Sequence, residues 1–182
     1  MNIFGETVKL RAMGPDDAES LWRWNHDPEV MRWMDDGYAQ PLERVRTWLT
    51  ERPRNGYGDV LFGIETLAEQ RLIGLVRLRD AEPETGCAEL DIYVGEKDCW
   101  GKGFGTDAVR TVCRYGFDKM RLHKVSLTVV AGNVGGLRAY TKAGFVEEGR
   151  LRSVFRRDGG WHDKIAMGLL EGELRQRGKL VR

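Results

Sequence analysis

The chain has 182 residues, of which 41% are hydrophobic and 31% charged, a balance typical of one globular domain spanning residues 1–182. The formal net charge of +1 provides no long-range field to attract a polyanion, so the composition argues against a nucleic-acid partner. No apolar run approaches the length of a membrane span, and the polar N-terminus is not typical of a signal peptide. We therefore expect a cytoplasmic protein with no membrane partner.

The first part of the chain predicts one strand followed by helices. Residues 7–11 alternate between polar and apolar side chains, which is the period of a strand. Pro15 begins a helix that extends to about residue 26, and a second, short helix is expected over 27–34. Pro41 begins a third helix, which places its apolar residues on one face.

The middle and the end of the chain predict strands that surround two further helices. Strands over 60–66 and 71–79 form a hairpin, and a third strand over 87–95 alternates cleanly. A glycine cluster then leads into a helix, followed by a strand at 125–130, a helix at 133–143 and strands at 145–155 and 161–170. From residue 171 we expect a charged helix or a frayed end. This order predicts an α+β fold with a mixed, mostly antiparallel sheet and helices on its faces.

Cysteine and histidine spacing argues against a disulfide and against a metal site. The six residues are Cys87, Cys99, Cys113, His26, His123 and His162. The cysteines are odd in number and contain no CxxC pair, and the histidines lie far apart without ligand spacing. We therefore expect reduced thiols and no metal.

Three glycines between the third strand and the following helix form the clearest candidate binding site. Gly101, Gly103 and Gly105 let the backbone approach an anion closely, and the N-terminus of the helix offers free N–H groups. The spacing matches neither a P-loop, which needs GxxxxGK, nor a dinucleotide fingerprint, which needs GxGxxG. These residues alone leave two readings open, a phosphate site or a tight turn ahead of a packing helix.

Several motifs in a fixed order resemble the GNAT acetyltransferase superfamily, and specifically its branch of ribosomal-protein N-terminal (RimJ/RimL-like) and spermidine acetyltransferases. The matching segments are 8–11, 25–31, 88–90, 100–105, 133–145 and 158–163 ahead of Met167, nearly the whole chain. The resemblance implies the acyl-CoA N-acyltransferase fold, with three layers α/β/α. It also implies acetyl-CoA as co-substrate and direct transfer of acetyl to a primary amine.

The resemblance also implies which residues hold the cofactor. The pyrophosphate would lie on Trp100, Gly101, Lys102, Gly103, Phe104, Gly105 and Thr106, with Trp100 where the family usually has Gln or Arg. The pantetheine would lie along Ile92, Tyr93 and Val94, where a backbone N–H holds the thioester oxygen. Asn133, Gly136 and Lys142 would contribute from the next helix. Gly136 is costly inside a helix, so either the cofactor approaches that backbone closely or the first turn is frayed.

Two residues are the candidates for acid and base. Tyr140 is the candidate general acid, because a phenol can return a proton to the departing thiolate. Glu89 is the candidate base, acting through a water, because an amine reacts only as its free base. Asp91 shares the strand face of Glu89 and could hold the positive charge of the amine. The alternatives are a solvated strand carboxylate and a packed tyrosine.

The acceptor is predicted only as a class. Asp35 and Asp36, with Asp27 and Glu29 nearby, make the region after the first helix acidic, which favours a cationic acceptor such as a polyamine or a protein N-terminus. A solvated helix face is the alternative explanation. An aminoglycoside or amino-acid acetyltransferase and a non-catalytic CoA-binding module remain competing functions. A homodimer or higher homo-oligomer is left open, with Trp33, Trp48 and Trp161 as candidate interface aromatics.

Overall fold

The described residues, 2–35 and 39–175 of a computed structural model, contain one sheet of eight strands and four α-helices. The strands are β1 Ile3–Phe4, β2 Val8–Ala12, β3 Asp59–Thr66, β4 Leu72–Glu82, β5 Cys87–Val94, β6 Lys124–Val130, β7 Val146–Arg157 and β8 Gly160–Leu170. The helices are α1 Ala18–Asn25, α2 Leu42–Glu51, α3 Phe104–Asp118 and α4 Val134–Ala143. In space the strands run β1-β2-β3-β4-β5-β6-β8-β7, and only β5 and β6 are parallel. The predicted mixed, mostly antiparallel sheet is confirmed.

Helices cover both faces of the sheet, as the alternation along the strands requires. Val76 and Leu78 of β4 are fully buried in the cluster that α3 and α4 pack against. Leu75, the residue just before Val76, instead packs against a second cluster, which is formed by residues of α1 and α2. Successive strand residues point to opposite faces, so one strand serves two apolar layers. The three-layer arrangement is therefore confirmed.

The short helix predicted over 27–34 is wrong, because this segment forms successive turns. The N–H of Met31 reaches the carbonyl of Asp27, but the N–H of Met34 reaches only that of Met31, so no continuous ladder forms. Tertiary packing decides the path of the chain here: Val30 is buried against α1 and α2, and the Trp33 ring lies on Gly132, where a Cβ atom would come within 2.9 Å of it.

Two other differences lie at the ends of the chain. The two-residue strand β1 is too short to show a sequence period, and it pairs with β2 at Ile3↔Leu10 and Phe4↔Lys9. In the tail, Glu171–Glu173 form one short 3-10 turn, and residues 176–182 of the predicted helix or frayed end lie outside the described residues.

Candidate active site

Strands β5 and β6 separate at the centre of the sheet and leave a gap. Their parallel pairing covers Cys87↔Lys124 to Glu89↔Ser126, and no further pair follows in the part of the chain that the structure describes. The N–H of Gly95 bonds to the carbonyl of Ile73 at 2.7 Å on the other side of β5. Because antiparallel ladders alternate, the backbone groups of Ile92 and Val94 point toward the gap. They provide an extended edge on which a chain of amides can bind.

The glycine loop lies at the end of this edge and leads into α3. Gly101 has φ +72° and Gly103 has φ +90°, a left-handed conformation that favours glycine, and no atom lies within 4 Å of where their Cβ atoms would be. Gly103 is the N-cap of α3 and supplies no side-chain cap. The first N–H groups of α3 therefore face an open cradle, which suits a pyrophosphate.

Trp100 links the loop to the strand edge. Its indole Nε1 donates to the carbonyl oxygen of Val94 at 2.8 Å, although the residue is 40% exposed. Gly105 lies in the first turn of α3, where a Cβ atom would have Val94 Cγ2 as its nearest neighbour at 3.7 Å. The segment 100–105, which carries the resemblance to the family's pyrophosphate motif, therefore lies directly against Val94, the last residue of β5.

Two buried carboxylates that sequence reasoning missed hold this region in place. Glu96 accepts from Arg23 and Arg71, both at 2.5 Å, and from Trp24 Nε1 at 2.9 Å. Burial raises the pKa of Glu96, but the hydrogen bonds from Arg23 and Trp24 outweigh it, and the pKa is lowered overall.

Asp107, in the first turn of α3, accepts the backbone N–H groups of Glu6, Thr7 and Val8 at 3.1, 2.7 and 3.1 Å. It also accepts the Thr7 hydroxyl at 3.0 Å, so one carboxylate ties the start of α3 to the turn between β1 and β2. An acidic residue in a first helical turn has an ordinary explanation in the helix dipole, and no sequence signal pointed to this contact.

Tyr140 and Asp91 lie close enough to interact electrostatically. Burial raises the pKa of the Tyr140 phenol, and the negative charge of Asp91 raises it further. A phenol with a raised pKa stays protonated through the neutral range, which a proton donor requires. The ring packs at 5.9 Å from that of Phe145, and the hydroxyl has no hydrogen-bond partner among the described residues. The two candidates, predicted from separate motifs, are therefore within electrostatic range of each other.

Arg79 of β4 bridges the two candidate carboxylates of β5. Its guanidinium contacts Glu89 Oε1 at 2.7 Å and Asp91 Oδ2 at 2.7 Å, and it also pairs with Asp80. The register places Arg79 directly opposite Glu89, with both side chains about one third exposed. Sequence reasoning missed this residue, although opposite charges at matched positions of two predicted neighbouring strands were a usable signal.

The other predicted cofactor residues occupy different environments. The Tyr93 hydroxyl donates to Asn25 at 3.1 Å, so its side chain faces α1 and only its backbone lies along the gap. Asn133 caps α4 by accepting the N–H of Gly136 at 2.9 Å, and a Cβ atom at Gly136 would come within 2.8 Å of the Asn133 side chain. The first turn of α4 is therefore capped. Lys102 and Lys142 are exposed and form no ion pair with a described residue.

The acidic residues assigned to the acceptor are mostly paired. Asp35 contacts Lys164 of β8 at 2.6 Å, while Asp27 and Glu29 both contact Lys97 at 2.9 Å. Asp36 lies outside the described residues. The contact with Lys164 places Asp35 beside β8. Together, the three ion pairs reduce the net negative charge of this acidic region.

The described residues provide neither a metal-ligand cluster nor a membrane-spanning helix. His, Cys, Asp and Glu side chains within residues 2–35 and 39–175 form no group of three that could hold a metal ion. In the same ranges, no helix is both long enough and apolar enough to cross a bilayer.

Comparison with known proteins shows that the chain is an acetyl-CoA-dependent acyltransferase. A family model described as "Acetyltransferase (GNAT) domain" matches residues 7–146. The chain therefore belongs to the GNAT acetyltransferase family, and its fold and its acetyl-transfer activity are those of an N-acetyltransferase.

Individual relatives cover nearly the whole chain. It is 31% identical over 172 residues to "Probable N-acetyltransferase YjcK" of Bacillus subtilis, across 91% of this chain and 95% of that protein. It is 28% identical over 167 residues to the spermidine N(1)-acetyltransferase of Vibrio cholerae serotype O1, across 91% and 94%. The crystal structure of a spermidine N-acetyltransferase from Vibrio cholerae in complex with CoA and spermine superposes with a TM-score of 0.79 at 25% identity, across 92% and 97%. More distant relatives are named aminoglycoside N(6′)-acetyltransferases.

Proposed function

We propose that this acetyltransferase acts on a primary amine of a cationic acceptor, with a polyamine or a protein N-terminus favoured. The observation that carries the proposal is the electrostatic interaction of Asp91, on the strand that borders the gap, with the buried phenol of Tyr140. A carboxylate on one side of the reacting atoms and a protonated phenol on the other are what amine acetylation needs.

The cofactor contacts follow from the open edge and the open cradle. The N–H groups at the start of α3 would hold the pyrophosphate, and the backbone of Ile92 and Val94 would hold the pantetheine amides and the thioester oxygen. Bound acetyl-CoA supplies the acetyl group, whose C–S bond breaks as the new C–N bond forms. The side chain of Lys102, exposed in the loop, adds positive charge beside the pyrophosphate.

Glu89 and Tyr140 would move the two protons. The amine must lose a proton before or during attack, and Glu89 accepts it through a water. Tyr140 donates its phenolic proton to the thiolate that leaves. Asp91, on the same strand as Glu89 and within electrostatic range of Tyr140, would hold the positive charge of the incoming amine. Arg79 pairs with both carboxylates at 2.7 Å and keeps them in fixed positions on the face of the sheet.

A charge imbalance along the chain supports a cationic acceptor. Residues 101–142, from the glycine loop through α4, carry a formal net charge of +6, whereas the whole chain carries +1. The remaining residues therefore carry −5. Among them Asp35 pairs with Lys164, and Glu89 and Asp91 both pair with Arg79, so the excess of acid is spread over the rest of the chain. A net negative potential there would raise the local concentration of a polyamine or a basic peptide.

A coupled CoA-release assay over a panel of amines tests the proposal. We expect turnover with spermidine, spermine or peptides with a basic N-terminal sequence, and little with neutral amino acids. Turnover restricted to aminoglycosides would keep the cationic class but change the acceptor, in line with the aminoglycoside acetyltransferases among the relatives. CoA binding without turnover on any amine would instead favour the non-catalytic binding module.

A further inference from the structure

Helix α1 contacts β5 through its last turn. The ring of Trp24, which is 1% exposed, meets the ring of Tyr93 edge-on, with the two centroids 6.1 Å apart. The Tyr93 hydroxyl donates to Asn25 at 3.1 Å, so two successive residues of α1 contact the same strand residue. This contact lies in the part of β5 that borders the gap. A side chain of α1 therefore reaches the strand along which the pantetheine is proposed to bind.

The chain leaves the β4–β5 ladder at a bulge directly after Val94. The N–H groups of Gly95 and Glu96 both bond to the carbonyl oxygen of Ile73, at 2.7 and 3.1 Å. Two residues opposite one is the pattern of a β-bulge, which redirects a strand and is common beside functional sites. The Val94 carbonyl already accepts Trp100 Nε1 at 2.8 Å, which leaves the N–H of Val94 as its group for a ligand in the gap.

Trp24 holds this bulge both with its ring and with its indole N–H. Gly95 lies directly against the ring, because a Cβ atom at this position would overlap the indole. The φ of Gly95 is not in the left-handed region, so it is the close approach of Trp24 that requires a glycine here. The indole Nε1 donates to the Glu96 carboxylate at 2.9 Å. Since one buried side chain contacts both residues of the bulge, a change in Trp24 would change the orientation of the peptide before them.

We propose that Trp24 is a positioning residue for acetyl transfer, which keeps the Val94 N–H aimed at the thioester oxygen. The inference rests on the proposed function, in which the backbone of Ile92 and Val94 holds the pantetheine and that oxygen. When the amine adds to the thioester carbon, negative charge collects on the oxygen before the C–S bond breaks and the thiolate leaves. A hydrogen bond to the oxygen is strongest in this charged state, so its direction affects the rate more than the binding. Trp24 acts through Gly95 and Glu96 and contacts no reacting atom.

Infrared spectroscopy of bound acetyl-CoA, isotope-labelled at the thioester carbonyl, tests the positioning without an acceptor. A hydrogen bond to this oxygen lowers the stretching frequency of the carbonyl relative to free acetyl-CoA, and we expect the wild type to show this lowering. Trp24→Phe keeps an aromatic ring but loses the indole N–H, so the frequency should return most of the way to the free value. In the same variant kcat should fall about tenfold or more. The affinity for CoA, which has no such carbonyl, should hardly change in calorimetry.

Two further variants separate the bulge contact from the packing of α1. Trp22→Phe is the matched control, because Trp22 lies on the same helix and packs against the same apolar cluster. Its Nε1 has no hydrogen-bond partner among the described residues, so the carbonyl frequency and kcat should stay those of the wild type. Gly95→Ala changes the contact from the strand side, since its methyl group would displace the indole, and should return the frequency as Trp24→Phe does. Melting temperatures check that each variant is folded.

The outcomes distinguish the inference from the proposed function. If Trp24→Phe and Gly95→Ala both kept the wild-type frequency, Trp24 would be a packing residue and the inference would be overturned, with the thioester site left standing. A change in Trp22→Phe as large as that in Trp24→Phe would also overturn it, because the effect would then be one of helix packing. If bound and free acetyl-CoA had the same frequency in the wild type, the proposed placement of the thioester would fail and the inference with it.

Discussion

The phenol of Tyr140 has an environment that matches one task, the donation of a proton. Its pKa is raised by burial and by Asp91, so the group stays protonated at neutral pH. We expect Tyr140→Phe to lower kcat by about 10²-fold, because one hydroxyl that acts in the transition state is lost. The affinity for CoA, measured by calorimetry, should hardly change. An unchanged kcat would leave Tyr140 as a packing residue that contacts Phe145.

The pH dependence of the Glu89→Gln variant distinguishes a general base from a positioning carboxylate. A base contributes most at low pH, where the free amine is scarcest. We expect Glu89→Gln to lower kcat/KM by a factor that grows as the pH falls below the pKa of the acceptor amine. Arg79→Lys is the matched variant, since it keeps the charge opposite Glu89 and loses only the fork that holds both carboxylates. A loss that stays the same at every pH would instead make Glu89 a positioning carboxylate of the Arg79 pair.

At the scale of an element, the first turn of α3 should be the main determinant of cofactor affinity. Gly105 has room for a methyl group beside Val94, but a branched side chain would extend into the space assigned to the pyrophosphate. We expect Gly105→Val to weaken CoA binding at least tenfold in calorimetry, while Gly105→Ala weakens it much less. Similar melting temperatures for the two variants would show that the loss concerns the site. CoA affinity equal to the wild type in Gly105→Val would place the pyrophosphate elsewhere.

The segment between β5 and α3 depends on the Glu96 carboxylate. The pKa of Glu96 is lowered in the folded state, so its ionised form stabilises the fold above the unfolded pKa of about 4.3, and this contribution is lost as the pH falls through the folded value. We expect Glu96→Gln to lower the free energy of unfolding by about 1–3 kcal/mol at pH 7. In urea titrations, the difference from the wild type should shrink below about pH 4. A difference that did not depend on pH would mean that shape, and not charge, holds this segment.

At the scale of the whole molecule, the structural features that could be predicted from the sequence are those that depend on residues close together along the chain. The alternation of β5, the glycine loop and the capped helix α4 are local patterns, and each was found where it was expected. The bridge from Arg79 to Glu89 and Asp91 depends on the register between two strands, and the Asp107 anchor joins residues about 100 positions apart. The prediction of a helix over 27–34 was wrong because it, too, depended on distant residues. Packing of this segment on Gly132 and on α1 overrides the local helix signal.

The separation of charge over the whole molecule leads to a prediction about salt and acceptor. The part of the chain outside residues 101–142 carries −5, and Asp35 is the exposed acid that balances Lys164 in it. Asp35→Asn therefore removes one negative charge and also leaves Lys164 uncompensated, so it should raise KM for spermidine by several fold at low ionic strength and by less at high salt. Asp118→Asn, which removes an exposed acid at the end of α3, is the control and should leave KM unchanged. Initial rates at several salt concentrations measure both variants. An equal rise in KM for a peptide whose only positive charge is the reacting amine would show that Asp35 shapes the site and does not attract a polycation.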